Sequence, residues 1–212
     1  MHITVFGAAG NAGRRITAEA SARGHLVTAV VRDPARAPDL PAGAVVARGD
    51  AADVEDVAAL SAGRDLVIGA TRPAPGREAD LVTVTRALLA GVARTGVRLL
   101  LVGGAATLTV PGAGGGAVVD DPAFPAEWRA IALACRDQLD VCQADPEADW
   151  AYLSPPALLV PGERTGRYRL GTDTLVVGAD GASTISYEDL AVALLDEAER
   201  PRHHRARFTV GY

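Results

Sequence analysis

Aromatic side chains are scarce in this chain: phenylalanine, tyrosine and tryptophan make up 4% of 212 residues, although 49% are apolar. A core of alanine, valine, leucine and glycine suits a parallel sheet covered by helices whose backbones approach closely. Cysteine is equally rare, with only Cys135 and Cys142. In a helical pattern these two lie ~10 Å apart along one face, too far for a disulfide, and no His or Cys neighbour completes a ligand set, so no metal is expected. The formal charge is −5 and no basic cluster occurs, which argues against a nucleic-acid partner. No run reaches the roughly 18 to 20 apolar residues that span a bilayer, and Met1 leads almost at once into a strand, not a basic and then apolar leader. These absences point to a cytoplasmic protein with a small-molecule substrate and no membrane partner. The length fits one domain, 1–212, with a substantial core.

What is present is concentrated at the start. Ile3, Val5 and Phe6 form a strand-like run, and Gly7-Ala8-Ala9-Gly10-Asn11-Ala12-Gly13 follows as GxxGxxG before an amphipathic segment that stops at Gly24. In that segment Ile16 and Ala20 face inward, with Arg14, Arg15, Glu19 and Arg23 outward. A strand, a glycine turn and a helix N-terminus in succession suit a pyrophosphate, because unpaired N–H groups and the positive dipole end face it across side-chain-free backbone. Gly7, Gly10, Asn11, Ala12 and Gly13 are therefore candidate dinucleotide contacts, and Gly10 is expected both to admit the pyrophosphate and to sit in a positive-φ turn. The competing reading is an ordinary tight turn whose glycines serve packing.

Further along, β and α patterns alternate, as in a doubly wound parallel α/β sheet. Leu26–Val31 is a second strand, ending at Arg32-Asp33-Pro34 where a Rossmann fold meets the adenosine ribose. Arg32 and Arg36 could clamp a 2′-phosphate, favouring NADP (NADPH), whereas Asp33 on the ribose would favour NAD. A third strand over 44–47 leads to Asp50, a candidate adenine contact or else a turn-stabilising residue, and Asp53 caps a helix over 54–61. Strand four exits through Ala70 and Thr71, which should line the cofactor's central portion. A helix over about 77–95, strand five over 97–102 and the exit Gly103-Gly104-Ala105-Ala106-Thr107 follow. The glycine- and proline-rich stretch 109–124 reads as a mobile loop over the site, or alternatively as a disordered insertion. A helix over 127–143 presents Ile131, Ala134, Cys135, Gln138 and Cys142 along one stripe. Strand six over 150–153 runs into Pro155, a candidate wall against a flat ring. The stretch 163–184 reads as a β-hairpin or short strands (167–170 and 175–177). Ser186-Tyr187-Glu188-Asp189 reads as a capping box opening a helix to about Glu199, and 208–212 as a last strand.

Taken together, Gly7–Gly13, Leu101-Val102-Gly103-Gly104-Ala105, Leu153-Ser154-Pro155-Pro156 with Pro161–Gly166, Ile185–Ala191 and Arg207–Tyr212 give the chain a resemblance, nearly end to end, to the atypical short-chain dehydrogenase/reductases. It is most similar to their NADH-flavin reductase group, relatives of biliverdin-IXβ/flavin reductase. The resemblance implies a Rossmann domain with a small C-terminal substrate-binding portion, here 155–187, and a reductase using NADPH or NADH. One departure bears on mechanism. Typical short-chain dehydrogenases carry Tyr-x-x-x-Lys, and this chain contains no lysine; Trp128 and Arg129 stand where members of this group often have tyrosine and lysine, and Thr107 where they often have serine.

The function expected is hydride transfer to a conjugated acceptor such as a flavin or quinone, which can take its proton from water. The nicotinamide would lie against Ala70, Ala105 and Pro155, with Thr107 polarising the acceptor or merely bracing its turn. A non-catalytic NAD(P) sensor, a cyclase or isomerase on the same fold, and a homodimer all stay open at this point.

Overall fold

A computed structural model describes residues 1–36, 40, 41, 43–112 and 114–212, with the side chain of Arg36 outside that description. In chain order the elements are β1 (His2–Phe6), α1 (Asn11–Ala22), β2 (Leu26–Val31), β3 (Val45–Arg48), α2 (Val54–Ser61), β4 (Leu66–Gly69), α3 (Asp80–Thr95), β5 (Arg98–Val102), α4 (Ala126–Ala144), β6 (Trp150–Ser154), β7 (Leu158–Val160), β8 (Arg169–Gly171), β9 (Thr184–Ser186), α5 (Tyr187–Glu199) and β10 (Ala206–Gly211). Eight strands form one sheet in the order β3-β2-β1-β4-β5-β6-β10-β8, all parallel except the edge pair β10–β8. The chain winds outward from β1 to β3, then returns to β1's other side as β4. The connections leaving β1 and β4 run to opposite faces of the sheet, to α1 and α3, and in a doubly wound fold that switch point is where a ligand crevice forms.

The sheet is buried on both faces, and the alternation along β1 shows how. Ile3 and Val5 pack with Ile16 and Ala20 of α1 and Leu190 and Leu194 of α5. Phe6 packs on the opposite face with Val57, Leu88 and Leu139, from α2, α3 and α4, and Thr4 on that face donates from Oγ1 to Leu60 O at 2.8 Å. α1 ends at Gly24 and α3 at Gly96, both in the left-handed region (φ +81° and +68°), as their sequence positions indicated. Among the described residues no helix is long and apolar enough to cross a membrane.

Three local expectations need correction. The stretch 163–184 is not a hairpin: only Arg169–Gly171 is a strand, pairing antiparallel with β10, while Leu158–Val160 and Thr184–Ser186 form a separate two-stranded parallel sheet. Leu175 and Val176 are buried without joining a strand, since Leu175 N–H is taken by Thr109 O. The capping box is half made. Asp189 N–H donates to Ser186 Oγ, but the Asp189 carboxylate turns to Thr165 Oγ1, Gly166 N–H and Tyr212 Oη, and Tyr212 Oη accepts from Ser186 N–H instead. Glu19 faces inward, not outward, because Arg164 and Arg23 both donate to it; the Arg164 hydrogen bonds outweigh burial and hold its carboxyl below the usual carboxylate range.

Candidate active site

The turn after β1 is shaped by contacts that exclude side chains. Gly7 has φ +80°, and a Cβ there would lie 2.5 Å from Ala70 O; at Gly13 a Cβ would lie 2.1 Å from Gly7 O. Both glycines are thus required by the protein's own backbone, which presses the β1 turn against the exit of β4. Gly10 differs. It is exposed, caps α1 with φ −75° and ψ 170°, and a Cβ there would meet Gly7 O at 3.2 Å and Ala70 O at 3.8 Å. The expected positive φ belongs to Gly7, not Gly10. Gly10 N–H is bonded to Gly7 O, whereas the N–H groups of Asn11, Ala12 and Gly13 have no acceptor among the described residues, and no side chain caps the helix. An open, side-chain-free helix start with three unpaired donors fits a dinucleotide's pyrophosphate.

Ala70 is buried and Thr71 half-buried, directly beside Gly7. At the far end of the crevice, Arg32 is exposed and has no ion pair among the described residues. Asp33 is already engaged, its Oδ1 accepting from Ala35 N–H at 3.1 Å. Arg36 ends a short 3₁₀ turn, Pro34–Arg36, but its side chain lies outside the described residues. Asp50 is exposed past β3, and its Oδ1 accepts from Ala52 N–H at 3.0 Å, bracing its own turn. Asp53 caps α2 as expected, accepting from Glu55 and Asp56 N–H.

The other side of the crevice is made of side chains. Gly103 leaves room for the Tyr152 ring, whose Cζ would be 1.8 Å from a Cβ at that position. Tyr152 Oη accepts from Gly104 N–H at 3.3 Å and lies 2.9 Å from Gln138 Oε1 and 3.1 Å from Cys135 O, to which it can donate. Burial pushes the Tyr152 phenol well above its ordinary range and the Cys135 thiol up to about 11, so neither is charged near neutral pH. Ala105 is half-buried beside this group, whereas Pro155 is buried at the exit of β6 and offers backing more than open surface. Thr107 is half-buried, and its Oγ1 accepts from Arg207 Nη1 at 2.6 Å. At the rim Trp128 is 51% exposed, with Arg72 5.6 Å from its ring centroid.

The segment over this region is anchored, contrary to its expected freedom. Val118 N–H donates to Leu108 O and Val119 N–H to Ala106 O; Val119 is buried against Ala106 and Ala132, and Arg129 Nη1 reaches Val119 O. Its tip around 111–116 is exposed, with residue 113 outside the described residues, and so is 120–123; the burial is at Val119. Sequence reading passed over Tyr152, Asp173, Arg72 and Arg207 as functional positions. The signal for Arg207 lay in the tail motif, where its partner 100 residues away in sequence could not be seen.

A family profile described as NAD(P)H-binding matches residues 7–201. Three solved structures superpose over the full length of this chain. One, named "Putative exported protein from Burkholderia pseudomallei", is 41% identical with TM-score 0.90, all of it covered. A "putative epimerase" from Bacteroides thetaiotaomicron is 37% identical with TM-score 0.89 and 96% covered. A "putative NADH-flavin reductase" from Streptococcus pneumoniae TIGR4 is 31% identical with TM-score 0.89 and 99% covered. With its Rossmann sheet, its glycine-lined crevice and a profile match over nearly its whole length, the chain belongs to the NAD(P)H-binding family.

Proposed function

We propose that this protein is an NADPH-preferring reductase of conjugated acceptors such as flavins or quinones. The observation that carries it is the pairing of a bare, three-donor helix start at the switch point with a half-buried hydroxyl, Thr107, whose partner among the described residues is a guanidinium and not a base. Bound in the crevice, a reduced dinucleotide supplies a hydride to the acceptor and is itself oxidised, leaving one negative charge on the acceptor that a proton from water neutralises. The chain's residues orient and stabilise. Asn11, Ala12 and Gly13 N–H hold the pyrophosphate, Arg32 with Arg36 takes the 2′-phosphate, and Ala70, Thr71, Ala105 and Pro155 bound the ring. Asp50 borders the adenine. Thr107 donates a hydrogen bond to the oxygen on which charge develops.

Tyr152 is a buried, weak acid whose hydroxyl is engaged by Cys135 O and Gln138, and the chain has no lysine to lower its pKa, which suits acceptors that need no proton from the protein. The same lack favours a second reading, a dinucleotide sensor without turnover. Steady-state oxidation of NADPH against a panel of quinones and free flavins, beside calorimetric titration of NADPH and NADH, decides between them. Turnover with a quinone or flavin supports the reductase, whereas tight NADPH binding with no oxidation across the panel supports the sensor.

A further inference from the structure

We infer that Arg207 is a positioning residue of this site, holding Thr107 from behind so that the hydroxyl's single proton is presented to a neutral conjugated carbonyl acceptor; the identity of that acceptor rests on the reductase reading. A threonine hydroxyl has one proton and two lone pairs, and a guanidinium only donates. With Arg207 Nη1 2.6 Å from Thr107 Oγ1, one lone pair is occupied and the proton has to leave in another direction. Among the described residues it has no acceptor there. The hydroxyl is thereby a donor in waiting.

Arg207 is itself fixed. Its Nε and Nη2 both donate to Asp173 Oδ1, the former at 3.0 Å, and its side chain is only 11% exposed. Asp173 is held in turn, since its carbonyl accepts from Thr109 N–H at 2.8 Å and from Thr109 Oγ1, two residues beyond Thr107. The turn carrying Thr107 is closed by Leu108 N–H on Ala105 O. Each member of the chain Asp173, Arg207, Thr107 thus fixes the next, and the β-branch of threonine restricts χ1 further. A hydrogen bond received from a cation also polarises the hydroxyl, strengthening the bond it donates.

This arrangement says something about the ligand. Three of the five N–H donors of Arg207 are taken, two by Asp173 and one by Thr107, and its charge is already paired with the Asp173 carboxylate, so Arg207 is not a free cation awaiting a permanently charged carboxylate or phosphate. What the site can recognise is an uncharged acceptor atom that becomes negative during the reaction, as a quinone or flavin carbonyl oxygen does. A fixed oxyanion of the same shape is then a mimic of the charged state, bound by the same donated hydrogen bond.

The test uses 4-nitrophenol with the intact protein saturated with NADP⁺, its absorbance reporting ionisation across a pH titration. Wild type is expected to bind the phenolate about tenfold more tightly than the phenol, because a hydrogen bond donated to the charged form favours it. Thr107→Val should abolish that preference. Arg207→Met should remove most of it with NADP⁺ affinity unchanged, and the double variant should lose no more than Thr107→Val alone. Asp173→Asn, which unlocks Arg207 without deleting it, should give a partial loss and serves if Arg207→Met does not fold. No preference in wild type, an undiminished preference in Arg207→Met or Asp173→Asn, or additive losses in the double variant would each overturn the inference. A wild type that shows the preference but oxidises NADPH with no quinone or flavin would sink the reductase reading and leave the positioning role standing.

Discussion

The two ends of the crevice are built from different material. At the end proposed for the pyrophosphate the groups are backbone, drawn from seven consecutive residues, Gly7–Gly13, pressed against Ala70. At the end proposed for the reaction they are side chains drawn from remote segments: Thr107, Tyr152, Asp173 and Arg207. Backbone donors do not depend on which side chain is present, provided it is small enough, so the first end is constrained by sterics. The second end is constrained by chemistry and can change its acceptor by exchanging a few side chains while the dinucleotide stays where it is. A chain without lysine can thus keep the turn of an NAD(P)H-binding family and lack the Tyr-x-x-x-Lys pair of typical short-chain dehydrogenases.

The sharpest way to break this comparison is to separate steric demand from ligand demand within the glycine turn. In Gly13→Ala a methyl would meet Gly7 O at 2.1 Å in rigid backbone, and the roughly 1 kcal/mol that alanine gains over glycine in a helix cannot offset that overlap. Destabilisation of about 3 kcal/mol is expected, seen as a drop of roughly 6–12 °C in Tm for a chain of this size, with loss of NADPH binding. Gly10→Val should behave oppositely. Its φ of −75° is open to any residue and the nearest atoms, Gly7 O at 3.2 Å and Ala70 O at 3.8 Å, are cleared by a small shift of an exposed turn, so Tm should move by less than about 3 °C. NADPH affinity should nevertheless fall about 30-fold or more, since the side chain occupies the approach to the Asn11–Gly13 donors. Wild-type affinity in a folded Gly10→Val protein would show that the cradle is elsewhere.

At the outer edge of the backbone-built end, Arg32 is the side chain that should discriminate between cofactors. A charge-assisted pair with a 2′-phosphate is worth about 1.5–3 kcal/mol, so Arg32→Ala should weaken NADPH by roughly 10- to 100-fold and leave NADH nearly unchanged. Asp33, engaged by Ala35 N–H, does not compete freely for the ribose. Equal calorimetric affinities of the wild type for the two dinucleotides would remove the role assigned to Arg32.

How far each end could be read from sequence follows from the same difference. The glycine turn, the succession of the first six strands with their helices, and the helix stops were legible because they depend on local spacing: a strand, GxxGxxG, a helix, then Gly24 or Gly96. Glu19 was misjudged, since its position on α1 looks solvent-facing until Arg164, 145 residues on, folds over it. Asp189 likewise fits a capping box locally, yet Thr165, Gly166 and Tyr212 draw its carboxylate away. The 109–124 stretch has the composition of a free loop but carries one buried anchor, Val119, whose partners Ala106 and Ala132 lie on either side of it in the chain. Thr107 could be singled out, while the arginine that defines its hydrogen-bonding sense could not.

The smallest expected effect lies at the side-chain end and tests what kind of help the acceptor receives. If Thr107 were an obligatory proton relay, deleting its hydroxyl would cost as much as loss of a positioned acid, roughly 10²- to 10⁴-fold. The geometry argues for less: the hydroxyl's partner is a guanidinium, which only donates, and the buried Tyr152 hydroxyl is engaged by Cys135 O and Gln138, not by Thr107. Thr107 can donate a hydrogen bond to a charge already spread over a conjugated ring, and loss of such a bond costs less than loss of an acid. Thr107→Ala should therefore lower kcat by roughly 3- to 30-fold with NADPH binding intact, and Thr107→Ser should recover most of it because the acceptor for Arg207 Nη1 is restored. Stopped-flow measurement of NADPH oxidation under single-turnover conditions isolates this step from product release. A fall beyond about a thousandfold with the dinucleotide still bound would mean that the hydroxyl moves a proton in the reaction, and that the side-chain end does more than orient.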